Sequence, residues 1–221
     1  MGSDAPSMKI PQLLPFDPSD WNAIHTAFEQ APFLDFGQAW LEKPAADFRP
    51  GRIQLGWKDD TFLFLASFVD DCLFTQMTAD NQEAWNLGDV FELFLKIPAH
   101  EDYFEFHLTP NGHRLQLHFP DANAIIRIRD KLCDHKPFLI NDALFNYAVH
   151  SVSKGWEVFV QLPASSLRSK VTSLQDTQVL ASFSRYDYDD KGSPPVTSST
   201  SLHKVAGFHR QEEWTLLTFT T

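Results

Sequence analysis

The chain reads as one all-β domain, an antiparallel sandwich of the jelly-roll or immunoglobulin-like kind with short helical turns near its N-terminus. Three observations lead there. Strand-length runs of alternating polar and apolar residues recur from Arg52 to the C-terminal end. Turn residues separate them, as at Lys58-Asp-Asp60, Pro110-Asn-Gly112 and Ser153-Lys-Gly155. The apolar content is aromatic, with 20 Phe against 3 Met in 221 residues, and aromatic rings fit a pleated, half-buried surface better than a helix face. Many short strands with turn-punctuated spacing define a sandwich or barrel.

Residues 1–50 are rich in proline and are expected to be an irregular segment packed on a sandwich formed by residues 51–221. Within it, Ser19 or Asp20 can cap a short helix running from Trp21 to Phe28. Residues 52–57 and 61–68 form a hairpin around Asp59-Asp60, and residues 90–96 and 103–108 are the next two strands. Residues 113–119 run back after the Asn111-Gly112 turn. Residues 145–152 and 156–162 make a second hairpin, and Pro163–Leu167 a single helical turn. Residues 179–186 and 214–219 supply the last strands. Between those two, residues 187–212 are polar and read as a long loop, a length that in a compact domain marks function or mobility.

Composition excludes several classes. A net charge of -11 leaves no positive field to displace counterions from a phosphate backbone, which argues against nucleic acid. No apolar run approaches the length needed to cross a bilayer as a helix. The stretch Met1–Met8 lacks the basic start and apolar core of a signal peptide. Cys72 and Cys133 lack metal-site spacing and read as free, buried thiols, with a disulfide between them left open. Nucleophile-elbow, zinc-protease and phosphate-loop motifs are all missing, so no catalytic residue is assigned.

The most informative stretch is Trp85-Asn-Leu-Gly-Asp-Val-Phe-Glu-Leu-Phe-Leu95. Period-2 alternation sets Glu92 among Val90 and Phe94 on one face, with Phe91, Leu93 and Leu95 on the other. On the following strand Glu105 and His107 share a face. Pairing of these strands gathers Glu92, Glu105 and His107 into a polar cluster. A carboxylate there can accept from adjacent hydroxyls, and the Trp85 ring can lie against an apolar sugar face. The competing reading leaves Glu92 facing solvent, and His107, His113 and His118 decorating a wet sheet face.

These motifs resemble the family-nine carbohydrate-binding modules and their DOMON-type relatives. The likeness rests on Leu55-Gly-Trp57-Lys-Asp59 with Phe62–Phe64 and Asp70, on Trp85 through Leu95, on Tyr103–His107 with Pro110–Gly112, and on Gly155–Pro163 with the Phe208–Leu217 tail. It covers roughly residues 50–221. The resemblance implies a non-catalytic sandwich of the kind attached to extracellular polysaccharide-degrading enzymes. It implies a saccharide held by Trp85, Glu92, Glu105, His107 and Arg185, and structural calcium as a possibility, with Asp70-Asp71 and Asp187–Asp190 as the acidic candidates. Two departures stand out. One extra residue separates Trp85 from Glu92, and no aromatic residue occupies residues 197–201, where the family's second tryptophan falls. Two alternatives therefore stay open: a sandwich that has lost its sugar site and serves interaction or sensing, and a haem-binding DOMON-type domain using Met77 with a histidine. An acid–base pair of Glu92 and Glu105 requires a cleft, which an open sheet face does not supply.

Overall fold

The structure, a computed structural model, describes residues 6–167, 171, 173–190 and 192–221. In chain order the strands are β1 (Ser7–Pro11), β2 (Phe33–Asp35), β3 (Gly51–Lys58), β4 (Thr61–Val69), β5 (Val90–Lys96), β6 (Tyr103–Leu108), β7 (Arg114–Phe119), β8 (Asn146–Val152), β9 (Gly155–Pro163), β10 (Gln178–Asp187), β11 (Val196–Ser199) and β12 (Thr215–Thr220). One sheet runs β2-β3-β4-β9-β8, antiparallel throughout. The other runs β1-β12-β10-β5-β6-β7. In this second sheet β10 pairs first with β12, through Gln178–Ala181, and then with β11, through Ser184–Asp187.

Local chemistry explains the hairpins. Asp59 and Asp60 both adopt positive φ, 49° and 54°, as a two-residue turn matching the twist of β3 and β4 demands. The core lies between the sheets. Phe91, Leu93 and Leu95 of β5 and Phe104, Phe106 and Leu108 of β6 meet Phe62, Phe64 and Ala66 of β4 and Trp156, Val158 and Val160 of β9. Phe91 and Phe183 stack at 6.2 Å with rings 7° from parallel.

The expected sandwich is observed, with additions that alternation did not reveal. The N-terminal segment contributes strands to both sheets: β1 pairs in parallel with β12, and β2 extends the edge beside β3. The helix α1 (Trp21–Phe28) forms as expected, with the Asp20 side chain accepting from the Asn22 N–H. A second helix, α2 (Asn123–Arg129), follows β7, and Asp121 accepts from the N–H groups of Asn123 and Ala124 at its start. The polar 187–212 segment contains β11 rather than being loop throughout. Both cysteines are free, but Cys72 is exposed and Cys133 half-buried, so the expectation of buried thiols is corrected. Among the described residues no helix is long and apolar enough to cross a membrane. Residues 1–5 of the N-terminal stretch lie outside the described residues.

Candidate functional site

The face of the second sheet turned away from the core carries the site. Alternation places Glu92 and Phe94 of β5, Tyr103, Glu105 and His107 of β6, and Ser182, Ser184 and Tyr186 of β10 on this outer face. It is not an open face. Leu115, Leu117 and Phe119 of β7 continue the same face, and Ala124 of α2, Phe208 and Trp214 pack with them as a second apolar cluster. They leave a cavity of about 260 Å³. Glu92, Phe94 and Glu105 line it from the sheet. Trp85, Tyr186 and Phe208 supply aromatic walls, while Arg129 and His209 bring polar groups to its edge.

Trp85 stands on a short 3₁₀ turn, Ala84–Asn86, just before β5. Its ring meets His107 edge-on at 5.6 Å and His135 at 5.7 Å, and its carbonyl accepts from the Tyr188 hydroxyl. Gly88, at φ 141°, brings the chain so close to Phe74 that a Cβ would lie 2.3 Å from the Phe74 carbonyl oxygen. Trp85 lines the cavity.

Glu92, Glu105 and His107 are all buried, at 2%, 4% and 0% exposure, which removes the solvent-facing reading. The ring Nε2–H of His107 donates to Glu105 Oε1 at 2.6 Å, and the same nitrogen lies 3.4 Å from Glu92 Oε1. Burial is the largest influence on each group. It pushes the Glu92 carboxyl up to about 8. At Glu105 burial is outweighed by His209 and His107, which hold the carboxyl below its usual range. At His107 burial is outweighed by the two carboxylates, which raise it. Burial pushes His209 down to about 4, so its ring is neutral. His113 and His118 do not join the group; they pair instead with Asp80 and Asp102.

The four outer-face expectations thus meet: Trp85, Glu92 and Glu105 line the cavity, and His107 lies behind the two carboxylates. Arg185 does not join them, and that expectation is corrected. It pairs in register with Phe91, so alternation sends it to the inner face. There it is 1% exposed. Its Nη1 donates to the Val69 carbonyl and its Nη2 to Asp70 Oδ2, both at 2.9 Å, with Asp187 Oδ1 at 3.2 Å.

Asp70, Asp89 and Asp187 form a buried acidic triad at this end. Most of its oxygens are already engaged, whereas calcium takes 6–8 oxygen ligands. Both Asp89 oxygens already accept N–H groups, from Phe74 and Tyr188. The Asp70 oxygens accept from Cys72 N–H and Arg185. Arg185 and Arg49 supply the positive charge, the latter 3.3 Å from Asp187. Millimolar calcium chloride should accordingly leave the melting temperature unchanged; a calcium-dependent rise would contradict this assignment.

Sequence reading missed several site residues. Phe208 and Tyr186 provide aromatic walls where the 197–201 stretch supplies serines. Those serines are structural: Ser199 Oγ donates to the Phe183 carbonyl, and Ser182 Oγ lies 3.4 Å from His203 Nε2. His203 in turn is held by Glu213 at 2.9 Å, which ties the segment before Phe208 to the sheet. In the sequence Phe208 is one of several apolar residues, with Leu202 and Val205, inside a polar stretch.

No family model matches the chain, and no curated protein matches it. Solved structures do. The fold is that of the family 9 carbohydrate-binding modules. A candidate carbohydrate-binding protein from Bacteroides uniformis aligns with a TM-score of 0.73 and 13% identity over 97% of this chain and 99% of its own. A family 9 module from Caldicellulosiruptor kristjanssonii in complex with cellotriose aligns with a TM-score of 0.64 and 11% identity, covering 97% and 93%. A family 9 module from the same organism in complex with glucose gives 0.64 and 11%, covering 97% and 95%.

Proposed function

We propose that this domain binds a saccharide in the outer-face cavity and does not transform it. The observation that carries the reading is a cavity whose sheet side presents two buried carboxylates and whose walls include three aromatic rings. Carboxyl groups exchange paired hydrogen bonds with vicinal hydroxyls, and aromatic faces shed water against a sugar's C–H surface. At about 260 Å³ the space falls just below the usual range of small-ligand sites, about 300–1,000 Å³. That favours one or two sugar rings, such as a chain end. The family 9 complexes with glucose and cellotriose support the same ligand class by fold analogy.

A cavity replaces the open face expected for Glu92 and Glu105, yet their arrangement favours binding. Glycoside hydrolysis places its two carboxyl groups on either side of the scissile bond. Here they project from adjacent antiparallel strands of one sheet and share a contact with His107. The haem reading gains no support, because Met77 is buried against Ala84 and Val90 and is absent from the cavity lining.

Calorimetric titration with a panel of mono- and oligosaccharides tests the proposal. At least one sugar should bind, and Trp85→Ala should weaken it roughly tenfold or more, about 1.4–2 kcal/mol, as for a buried aromatic anchor. No heat across the panel, or unchanged affinity in the variant, would sink it.

A further inference from the structure

The sheet side of the cavity holds more than a saccharide site requires. Glu92, Glu105 and His107 can each offer one ligand atom such that all lie within 4.8 Å of one another. The 3.4 Å between His107 Nε2 and Glu92 Oε1 equals the edge of a tetrahedron whose centre lies about 2.1 Å from each donor, the usual zinc–nitrogen and zinc–oxygen distance. The shorter contact of 2.6 Å from His107 to Glu105 is a hydrogen bond, and its proton is the one a metal displaces when it binds.

A second, independent observation points to a ligand. Glu105 Oε2 has no hydrogen-bond partner, although the side chain is only 5% exposed and lines the cavity. An unpaired buried carboxylate oxygen is costly, and its burial is relieved by a cation. His209 Nε2 stands 3.7 Å from that oxygen. Its Nδ1 is held at 2.9 Å by the Tyr103 hydroxyl. Two buried carboxyl groups also bring a potential double negative charge that one divalent ion cancels.

We propose that Glu92, Glu105 and His107 hold a divalent ion of the zinc–cobalt class beside the cavity, with the fourth position open to water from the cavity. Imidazole with carboxylate suits such borderline ions, whereas calcium takes oxygen alone. The site does not depend on the saccharide reading, since the ion can be titrated with no sugar present.

The experiment uses the full chain after chelator treatment. Zn²⁺ is titrated by calorimetry at fixed pH in a non-coordinating buffer, and Co²⁺ by visible absorption. One equivalent should bind, with the intense visible bands of four-coordinate cobalt. The isosteric Glu105→Gln should weaken binding by at least tenfold, on the scale of a disturbed metal site. His25→Ala, at the Glu157 contact on the other sheet, should change nothing. Should Glu105→Gln fail to fold, the isosteric Glu92→Gln decides, with weakened binding and altered cobalt bands expected. Absence of saturable uptake, full affinity in the folded Glu105→Gln or Glu92→Gln protein, or a loss produced by His25→Ala would each overturn the proposal. A failed sugar panel would leave these outcomes untouched.

Discussion

Replacing Arg185 with methionine should destabilise the fold by about 3–5 kcal/mol, the cost of stranding a buried charge by removing its partner. Arg185 is buried under the end of the sandwich core, its guanidinium 5.1 Å above the Phe68 ring. It satisfies the Val69 carbonyl and bridges Asp70 and Asp187. Methionine fills much of the volume but leaves Asp70 without its cationic partner and Asp187 with Arg49 alone. For a chain of this size the melting temperature should fall roughly 2–4 °C per kcal/mol. Lysine should recover only part of the loss, because one ammonium cannot reproduce a planar fork that reaches three acceptors. Urea unfolding checks both variants, and a loss below about 1 kcal/mol for the methionine form would refute the compensated-triad account. Below the melting transition, saccharide affinity of the Arg185→Lys protein should match the parent, since the side chain lies on the opposite face of the sheet.

Trp214→Ala carries a comparable expected effect for a different reason. Its ring is fully buried on the outer face, 5.8 Å from Phe94 and 5.7 Å from Tyr103. Its indole N–H donates to the Phe208 carbonyl at 2.8 Å. Removing the ring opens a cavity and should cost about 3–5 kcal/mol. Trp214→Phe separates packing from position. It keeps most of the apolar contact and deletes the hydrogen bond, a stability loss of about 1 kcal/mol plus the penalty for an unpaired carbonyl. Residues 206–209 should then exchange their amide protons faster than in the parent, and saccharide affinity should fall with them. Hydrogen exchange unchanged in that segment would show that Trp214 does not hold the cavity wall.

These two tryptophan and arginine positions mark where sequence reasoning reached its limit. Alternation correctly separated Phe91, Leu93 and Leu95 from Glu92, because side-chain direction along a strand has a period of two. The same rule, applied to β10, would have sent Arg185 inward with Phe183. The family resemblance suggested the site instead, and the β5–β10 register sets the arginine on the core side. The turn residues Asp59, Asp60 and Gly112 located hairpins because positive φ restricts residue type. By contrast, β1 and β11 have no legible signal. Each is short, and β1 is ordered by parallel pairing with a strand from the far end of the chain.

The sequence by itself determined the all-β architecture, most strand positions and the shared face of Glu92, Glu105 and His107, since these follow from local periodicity and turn chemistry. The tertiary structure alone decided that this face is enclosed. The wall is built from α2, His135 and Phe208–His209, segments distant in sequence from β5 and β6. Their docking depends on non-local contacts such as those of Trp214 with Phe208 and His203 with Glu213, which no window of neighbouring residues encodes. Burial of the carboxyl groups, and with it their shifted protonation, arises only once that wall is in place.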